Sequence, residues 1–359
     1  MSSEQPKLEH ITLKNLQGMS VALTNFGARI TAINFPVQGV CKPMVLGYDS
    51  LDGFLDDPFY LGATCGRVCN RVAGGRFQIA GQTYQLPQND GENCLHGGIE
   101  NFSFRYWAID EETLSDTFVR FKLLSQDGDQ GFPGELSISV TYQLNDDNAL
   151  SIQYEANTHK TTAVNMTNHA YFNLGEDNCL DLHLQLFSHE ILEIDQQNIP
   201  TGNMLSVENT PFDFTKEVLF SSSSPNSSYS PSSSYRTIGQ HFNTEDSNGE
   251  SLSKGFDHCF VLEQKLLEST TSSNDLLSKP SAILTSLKNK IRLSLFTDQN
   301  AVQFYTGYYL DKPFSAFKGL CLEAQNHTDA ENHAHFPSNI LEPNNTYKKH
   351  IVYQFDAIT

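Results

Sequence analysis

Three stretches of this 359-residue sequence set titratable side chains and glycines into otherwise apolar, strand-like runs. The first begins at Gly62-Ala-Thr-Cys and continues past Leu86 to His96-Gly-Gly. In it Asn70 and Arg71 stand where a loop should leave a strand. His96 precedes Gly97 and Gly98, whose missing side chains should let a ligand approach the backbone closely. The second is Val164-Asn-Met-Thr-Asn-His-Ala-Tyr-Phe-Asn-Leu-Gly, with His169 flanked by Asn168 and Tyr171. The third is Gly319-Leu-Cys-Leu-Glu-Ala-Gln, which places Glu323 in an apolar run. A carboxyl there should be partly buried, and desolvation raises its pKa unless a cation or hydrogen-bond donors compensate. Imidazoles and a carboxyl so perturbed are the groups that carry protons near neutral pH.

Each residue also has a plainer reading. A lone histidine on a strand is commonly a hydrogen-bonded structural residue, Glu323 could be the outward member of an alternating strand, and Arg71 could serve a surface ion pair. Asp257-His258 could simply open a strand, with the aspartate as turn former. Metal and cofactor signatures are weak. Cys65, Cys69, Cys94 and His96 give C-x3-C and C-x-H, off the usual structural zinc spacings, and Glu331, His333 and His335 sit in loop-like sequence. No phosphate-binding loop, dinucleotide glycine fingerprint or G-x-S-x-G elbow is present, so neither metal nor cofactor is expected.

The elements that must position these groups are strands. Leu136, Ile138, Val140, Tyr142 and Leu144 alternate with small or polar partners; Asn145-Asp-Asp-Asn supplies turn chemistry; Leu150, Ile152 and Tyr154 alternate again, predicting an antiparallel hairpin. Arg76-Phe-Gln-Ile-Ala, Gly81-Gln82 and Thr-Tyr-Gln-Leu predict a second hairpin, with Gly81 first in a type II′ turn. Further strands are expected at 28–35, 118–124, 182–187, 291–296, 302–305 and 350–355, and only 262–277 resembles a helix. Short strands without β-α-β alternation predict an all-β, large antiparallel sandwich with few short helices, one domain over 1–359. Ser-rich insertions near 221–252 and 264–281 should be surface excursions.

The formal net charge of −19, from 23 Lys+Arg against 42 Asp+Glu, should repel phosphate backbones and anionic lipid heads. Nucleic acid and membrane are therefore not expected partners. No apolar run reaches the roughly 20 residues of a spanning helix, and the N-terminus lacks the pattern of an export signal. Seven scattered cysteines suit reduced thiols in the cytoplasm.

One ordered set of motifs resembles a known family. Asn25-Phe-Gly-Ala, Gly66-Arg-Val-Cys-Asn-Arg-Val, Asn93-Cys-Leu-His-Gly-Gly, Asn168-His-Ala-Tyr-Phe-Asn-Leu, Phe256-Asp-His, Gln303-Phe-Tyr-Thr-Gly and Leu322-Glu-Ala-Gln occur in the order found in aldose 1-epimerases, or galactose mutarotases, over about residues 8–355. The resemblance implies the galactose-mutarotase-like supersandwich and interconversion of the α and β anomers of a free aldohexose such as galactose or glucose; the chain is expected to act as a monomer or homodimer. It assigns Glu323 as general base, His169 as general acid and His96 as second active-site histidine. Asn70, Arg71, Asp257 and Gln303 would hold the sugar hydroxyls, and Tyr171 or Phe304 could cover an apolar sugar face.

Opening a pyranose hemiacetal requires one proton to leave the anomeric hydroxyl while another reaches the ring oxygen, so a base and an acid suffice. For proton traffic near neutral pH, Glu323 should be drawn up by burial and His169 should be protonated when sugar binds, with Arg71 opposing the first shift. Two alternatives share the fold: a hexose 6-phosphate epimerase, for which only Arg67, Arg71 and Arg76 could grip phosphate, and a sugar-binding sensor, which needs no acid/base pair. The sequence departs from the family at Pro343-Asn-Asn, where Pro-Gly is usual, and in the insertions beside Asp257.

Overall fold

The computed structural model describes residues 7–216, 236–242, 255–263 and 279–358. Its framework is two antiparallel sheets packed face to face. The larger has eight strands, in the spatial order Ala108–Ile109, Phe118–Ser125, Leu136–Leu144, Ala149–Thr158, Thr346–Ala357, Ile291–Thr297, Ala282–Ser286 and His183–Leu186. The smaller has six, in the order Tyr171–Phe172, Leu320–Gln325, Ala301–Tyr305, Asp257–Val261, Glu190–Ile194 and Pro200–Ser206. A four-stranded sheet over residues 10–43 flanks them. Among the described residues the longest helix is Ile238–Phe242.

The alternation seen in the sequence is the packing rule. Leu136, Ile138, Val140, Tyr142 and Leu144 are all buried, and they pair with Ala149–Thr158 in the register Val140↔Tyr154 and Tyr142↔Ile152. The Asn145 side chain closes that hairpin by accepting from the N–H groups of Asp147 and Ala149. Between the sheets lies one apolar core to which both contribute; Phe172 of the smaller sheet meets Tyr353 of the larger with ring centroids 4.9 Å apart. Strands expected from 28–35 through 350–355 are all present.

The second hairpin differs in one respect. Ile79 pairs with Gln82, so the two-residue turn is Ala80-Gly81 rather than Gly81-Gln82, and both residues have positive φ, at 49° and 80°. That is the backbone of a type I′ turn, which matches the twist of the strands and tolerates Ala80 because Gly81 takes the more demanding second position.

The Ser-rich run at 221–234 and most of the helix-like stretch 262–277 lie outside the described residues. Part of the expected first insertion is docked instead of excursive. Ile238 is fully buried in the main core and donates its N–H to Leu182, while the His241 ring lies 4.3 Å from that of Phe214.

Within the smaller sheet, strand period fixes what each face does. From Leu320–Gln325, Leu320, Leu322 and Ala324 enter the main core, whereas Cys321, Glu323 and Gln325 point to the opposite side. In Ala301–Tyr305 the core residues are Val302 and Phe304, leaving Gln303 and Tyr305 opposite. That second face is not solvent. Loops over about residues 57–98 cover it, and all six residues of Leu320–Gln325 are buried. The site lies between this face and those loops.

Candidate active site

Glu323 occupies the centre of its strand at 2% exposure, directly opposite Gln303 in the register. Its Oε1 is 3.7 Å from Nε2 of His169, and Oε2 is buried without a partner. Burial holds this carboxyl well above the ordinary range and nearby Asp257 pushes it further, with Arg71 opposing. Arg71 is engaged elsewhere: its Nε donates to Asp90 at 2.8 Å and its Nη1 lies 3.6 Å from Asp257. The two opposing influences that the sequence left unweighed at Glu323 resolve upward, with desolvation outweighing the guanidinium.

His169 sits between two short strands, Thr167–Asn168 and Tyr171–Phe172, and the chain is pinned on both sides by one neighbour. Its N–H donates to Ala63 at 2.9 Å and its carbonyl accepts from Gly62 at 3.0 Å. The rings of Tyr171, His96 and Tyr60 surround the imidazole at 5.0, 5.2 and 5.9 Å, and its Nδ1 is 3.4 Å from the Cys321 sulfur. Burial pushes the His169 pKa down to about 4. In the empty site the neutral imidazole beside a protonated carboxyl is thus favoured, because burial penalises both charged forms.

His96 adopts a left-handed backbone, φ 52°, and exchanges contacts with Asn70. The His96 N–H donates to the Asn70 carbonyl, and the Asn70 N–H donates to His96 Nδ1 at 3.2 Å. Since Nδ1 accepts, a neutral His96 must carry its proton on Nε2. Burial, then His169 and Arg71, hold it well below the usual imidazole range, so it is neutral and a hydrogen-bond donor. The glycines after it make room for the protein's own chain, not a ligand. A side chain at Gly97 would overlap the Gly66-Arg67 peptide, and one at Gly98 would meet Gln130.

Asn70, Arg71, His96, His169, Asp257 and Glu323, brought from four separate segments, line one cavity of about 140 Å³. Gln303 stands behind it: its Nε2 donates to Asp257 Oδ1 at 2.6 Å and its Oε1 is buried without a partner. The carboxyl of Asp257 is raised by burial against the pull of Arg71. Tyr171 lines the cavity, whereas Phe304 belongs to the main core, stacked on Phe256 at 5.2 Å. Sequence reasoning missed Tyr60, Phe59, Tyr305 and Tyr309 in the lining. Tyr305 was discoverable as the second residue beyond Gln303 on a strand; Tyr60 has no local signal.

Several sequence clusters do not converge here. Arg67 is 1% exposed and fastens other loops, its Nη1 donating to the Pro133 and Gly134 carbonyls and its Nη2 to Ser125, while Arg76 is exposed at a strand start. His335 contacts the Gly202 carbonyl and Glu331 accepts from Asn339. A larger recess of about 320 Å³ is lined by Phe187, Glu263, Lys279 and Asp298 among others, its Lys279 ammonium 3.8 Å from Glu263, and takes in none of the motif residues gathered above. Among the described residues, the group whose ligand atoms lie close enough to enclose a metal ion is His96, His169 and Glu323, within 4.8 Å of one another, not the cysteine set. The His96 tautomer opposes ligation, because Nε2 is occupied by its proton while Nδ1 accepts from Asn70.

Residues 9–354 match the family model described as aldose 1-epimerase. The chain is 36% identical to an aldose 1-epimerase of Escherichia coli (strain K12), over 97% of this chain and 95% of that one. It is 35% identical to a galactose mutarotase of Mus musculus, over 94% and 92% of the two. The crystal structure of the GalM/aldose epimerase homologue from C. elegans superimposes with a TM-score of 0.85 at 29% identity, covering 98% of this chain and all of that one. With the family model spanning nearly its whole length and these relatives matched end to end, the chain belongs to the aldose 1-epimerase family.

Proposed function

We propose that Glu323 and His169 act as one proton-sharing pair that opens and recloses the ring of a free aldohexose, galactose or glucose, bound in the cavity they line. The chain is a carbohydrate isomerase of the mutarotase type, as its relatives are. The observation that carries the roles is the 3.7 Å approach of His169 Nε2 to Glu323 Oε1 inside a buried, aromatic-walled cavity.

The proton accounting suits that geometry. With a closed sugar bound, the pair holds one proton on His169 and none on Glu323. Glu323 takes the proton of the anomeric O1–H, His169 Nε2 gives its proton to the ring oxygen O5, the C1–O5 bond breaks and C1=O1 forms. The pair is then a carboxylic acid beside a neutral imidazole. Rotation about C1–C2 presents the other face of the aldehyde, and the same two groups return their protons in reverse. The pair's total never changes. Burial favours its neutral form, so the site stabilises the protonation state that accompanies the open-chain aldehyde.

The remaining residues bind. His96 offers Nε2–H to a sugar oxygen, Arg71 and Asp257 a donor and an acceptor to hydroxyls, and Asn70 stays beside them through its 3.5 Å contact with Gln325. Gln303 orients Asp257. Tyr171 and Tyr60 offer apolar faces to the pyranose. A phosphate-binding reading finds no grip: among the described residues, Arg71 is the only lysine or arginine on the cavity wall, and two aspartates already hold it. Among those residues no helix is long and apolar enough to cross a membrane. The seven free cysteines, six of them buried, support the reducing cytoplasm as its compartment.

Polarimetry of freshly dissolved α-D-galactose and α-D-glucose at pH 7, with EDTA present, tests the reading. Faster mutarotation with protein than without supports it. Sugar binding by calorimetry with no acceleration would replace it by the sensor reading.

A further inference from the structure

One buried group beside the site has no part in the chemistry so far. Cys321 lies two residues before Glu323 on the same face of Leu320–Gln325, is wholly buried, and has His169 Nδ1 at 3.4 Å from its sulfur. We infer that Cys321 is a positioning residue for His169, its sulfur accepting the Nδ1–H and so confining proton exchange to Nε2, the nitrogen that faces Glu323. This rests on His169 being the acid.

The argument starts from proton conservation. An imidazole that surrenders and regains a proton at Nε2 must keep its other proton on Nδ1 throughout, and that buried N–H needs an acceptor. Two acceptors lie near it. One is the residue's own main-chain carbonyl, which already accepts from Gly62. The other is the Cys321 sulfur, on the edge of the ring opposite the carboxyl. The rings of Tyr60, Tyr171 and His96 restrain the imidazole plane and offer Nδ1 no polar partner.

The choice of sulfur has a chemical consequence. Burial holds the thiol protonated, well above its ordinary range, so the acceptor is soft and uncharged. A carboxylate in that place would raise the proton affinity of the ring. An uncharged partner orients the imidazole and leaves it a strong acid, in keeping with its depressed pKa. The other ionisable groups facing His169 are Glu323, His96, Tyr60, Tyr171 and Tyr305, with Arg29 acting from further away.

The test uses the full chain with Cys321→Ala, Cys321→Ser and Cys321→Asp, read by kcat and KM across pH and by 15N spectra of labelled histidine. Loss of the acceptor in Cys321→Ala should lower kcat roughly tenfold with KM within about twofold, the scale of orienting partners in other sites. Cys321→Ser, which keeps an acceptor, should recover at least roughly a third of the wild-type rate. Cys321→Asp should move the acid limb of the pH profile up by about one unit or more. Wild-type His169 should give the Nδ1–H signature, which needs no variant to fold. A Cys321→Ala enzyme with unchanged kcat and pH profile, or an Nε2–H signature in the wild type, overturns the inference. Should His169→Asn itself retain activity, the acid assignment falls; should it abolish activity while Cys321 variants do nothing, only the role of Cys321 falls.

Discussion

The residues on the two faces of strand Leu320–Gln325 are all buried, and the faces are chemically opposite. On one, Leu320, Leu322 and Ala324 pack with Phe304 into the main core; on the other, Cys321, Glu323 and Gln325 meet the site. The first gains stability from apolar burial. The second spends it, since Glu323 Oε2 and Gln303 Oε1 are buried without partners. A strand rigid on its core side can hold an unsatisfied carboxyl in place on the other, and the comparison predicts that substitutions on the two faces affect different quantities.

The largest separation should come from His169 and Phe304. His169→Asn should lower kcat by about 10³-fold, the usual worth of a general acid, with little change in unfolding temperature; a loss under tenfold would remove its assigned role. Phe304→Ala should destabilise by about 3–5 kcal/mol, read by denaturant unfolding, while the folded fraction keeps its rate within a few fold. A catalytic collapse in that variant at full stability would erase the distinction between the faces.

Smaller effects sharpen it. His96→Asn, which alters a donor to the sugar, should raise KM and lower kcat by roughly 10- to 100-fold in kcat/KM; unchanged kinetics would make His96 structural. The pH profile of kcat/KM should fall on the acid side near the His169 value of about 4, where a second proton joins the pair, and fall again on the alkaline side where the raised Glu323 carboxyl loses the shared proton. Least of all is Glu331, a half-buried residue with an enclosed, unpartnered Oε2 and a pKa pushed up to about 7 by burial. A folded-state pKa above the unfolded value makes the contribution full at low pH and lost as pH rises towards 7. Glu331→Gln should therefore be the more stable protein at pH 8, by roughly 1–2 kcal/mol, and the same at pH 4; equal stability at both would place that carboxyl in water.

Much of this was legible in the sequence because strand alternation is a local signal. Leu136 through Tyr154 gave a hairpin, and Glu323 within Leu320-Cys-Leu gave a buried carboxyl. Motif order then singled out His96, His169 and Asp257, which the fold gathers. Non-local facts were not legible. Arg67 and Arg71 look alike four residues apart, yet one fastens loops at 125–134 and the other lines the cavity. Gly97 serves a close approach by residue 66, and Tyr60 reaches the histidines only through the fold. Nor could sequence weigh desolvation against Arg71 at Glu323, because that balance depends on where Asp90 and Asp257 hold the guanidinium.

The central claim, a buried carboxyl that costs stability and supplies catalysis, is tested most directly by Glu323→Gln, measured for mutarotation of α-D-galactose and for thermal unfolding at pH 7. Because the Glu323 pKa is raised on folding, the substitution removes a cost present above the unfolded value, so the variant should unfold at an equal or higher temperature. Its rate should fall about 10³-fold or more while sugar binding stays within a few fold. A variant that keeps half the wild-type rate, or that loses activity only by unfolding, would contradict the account.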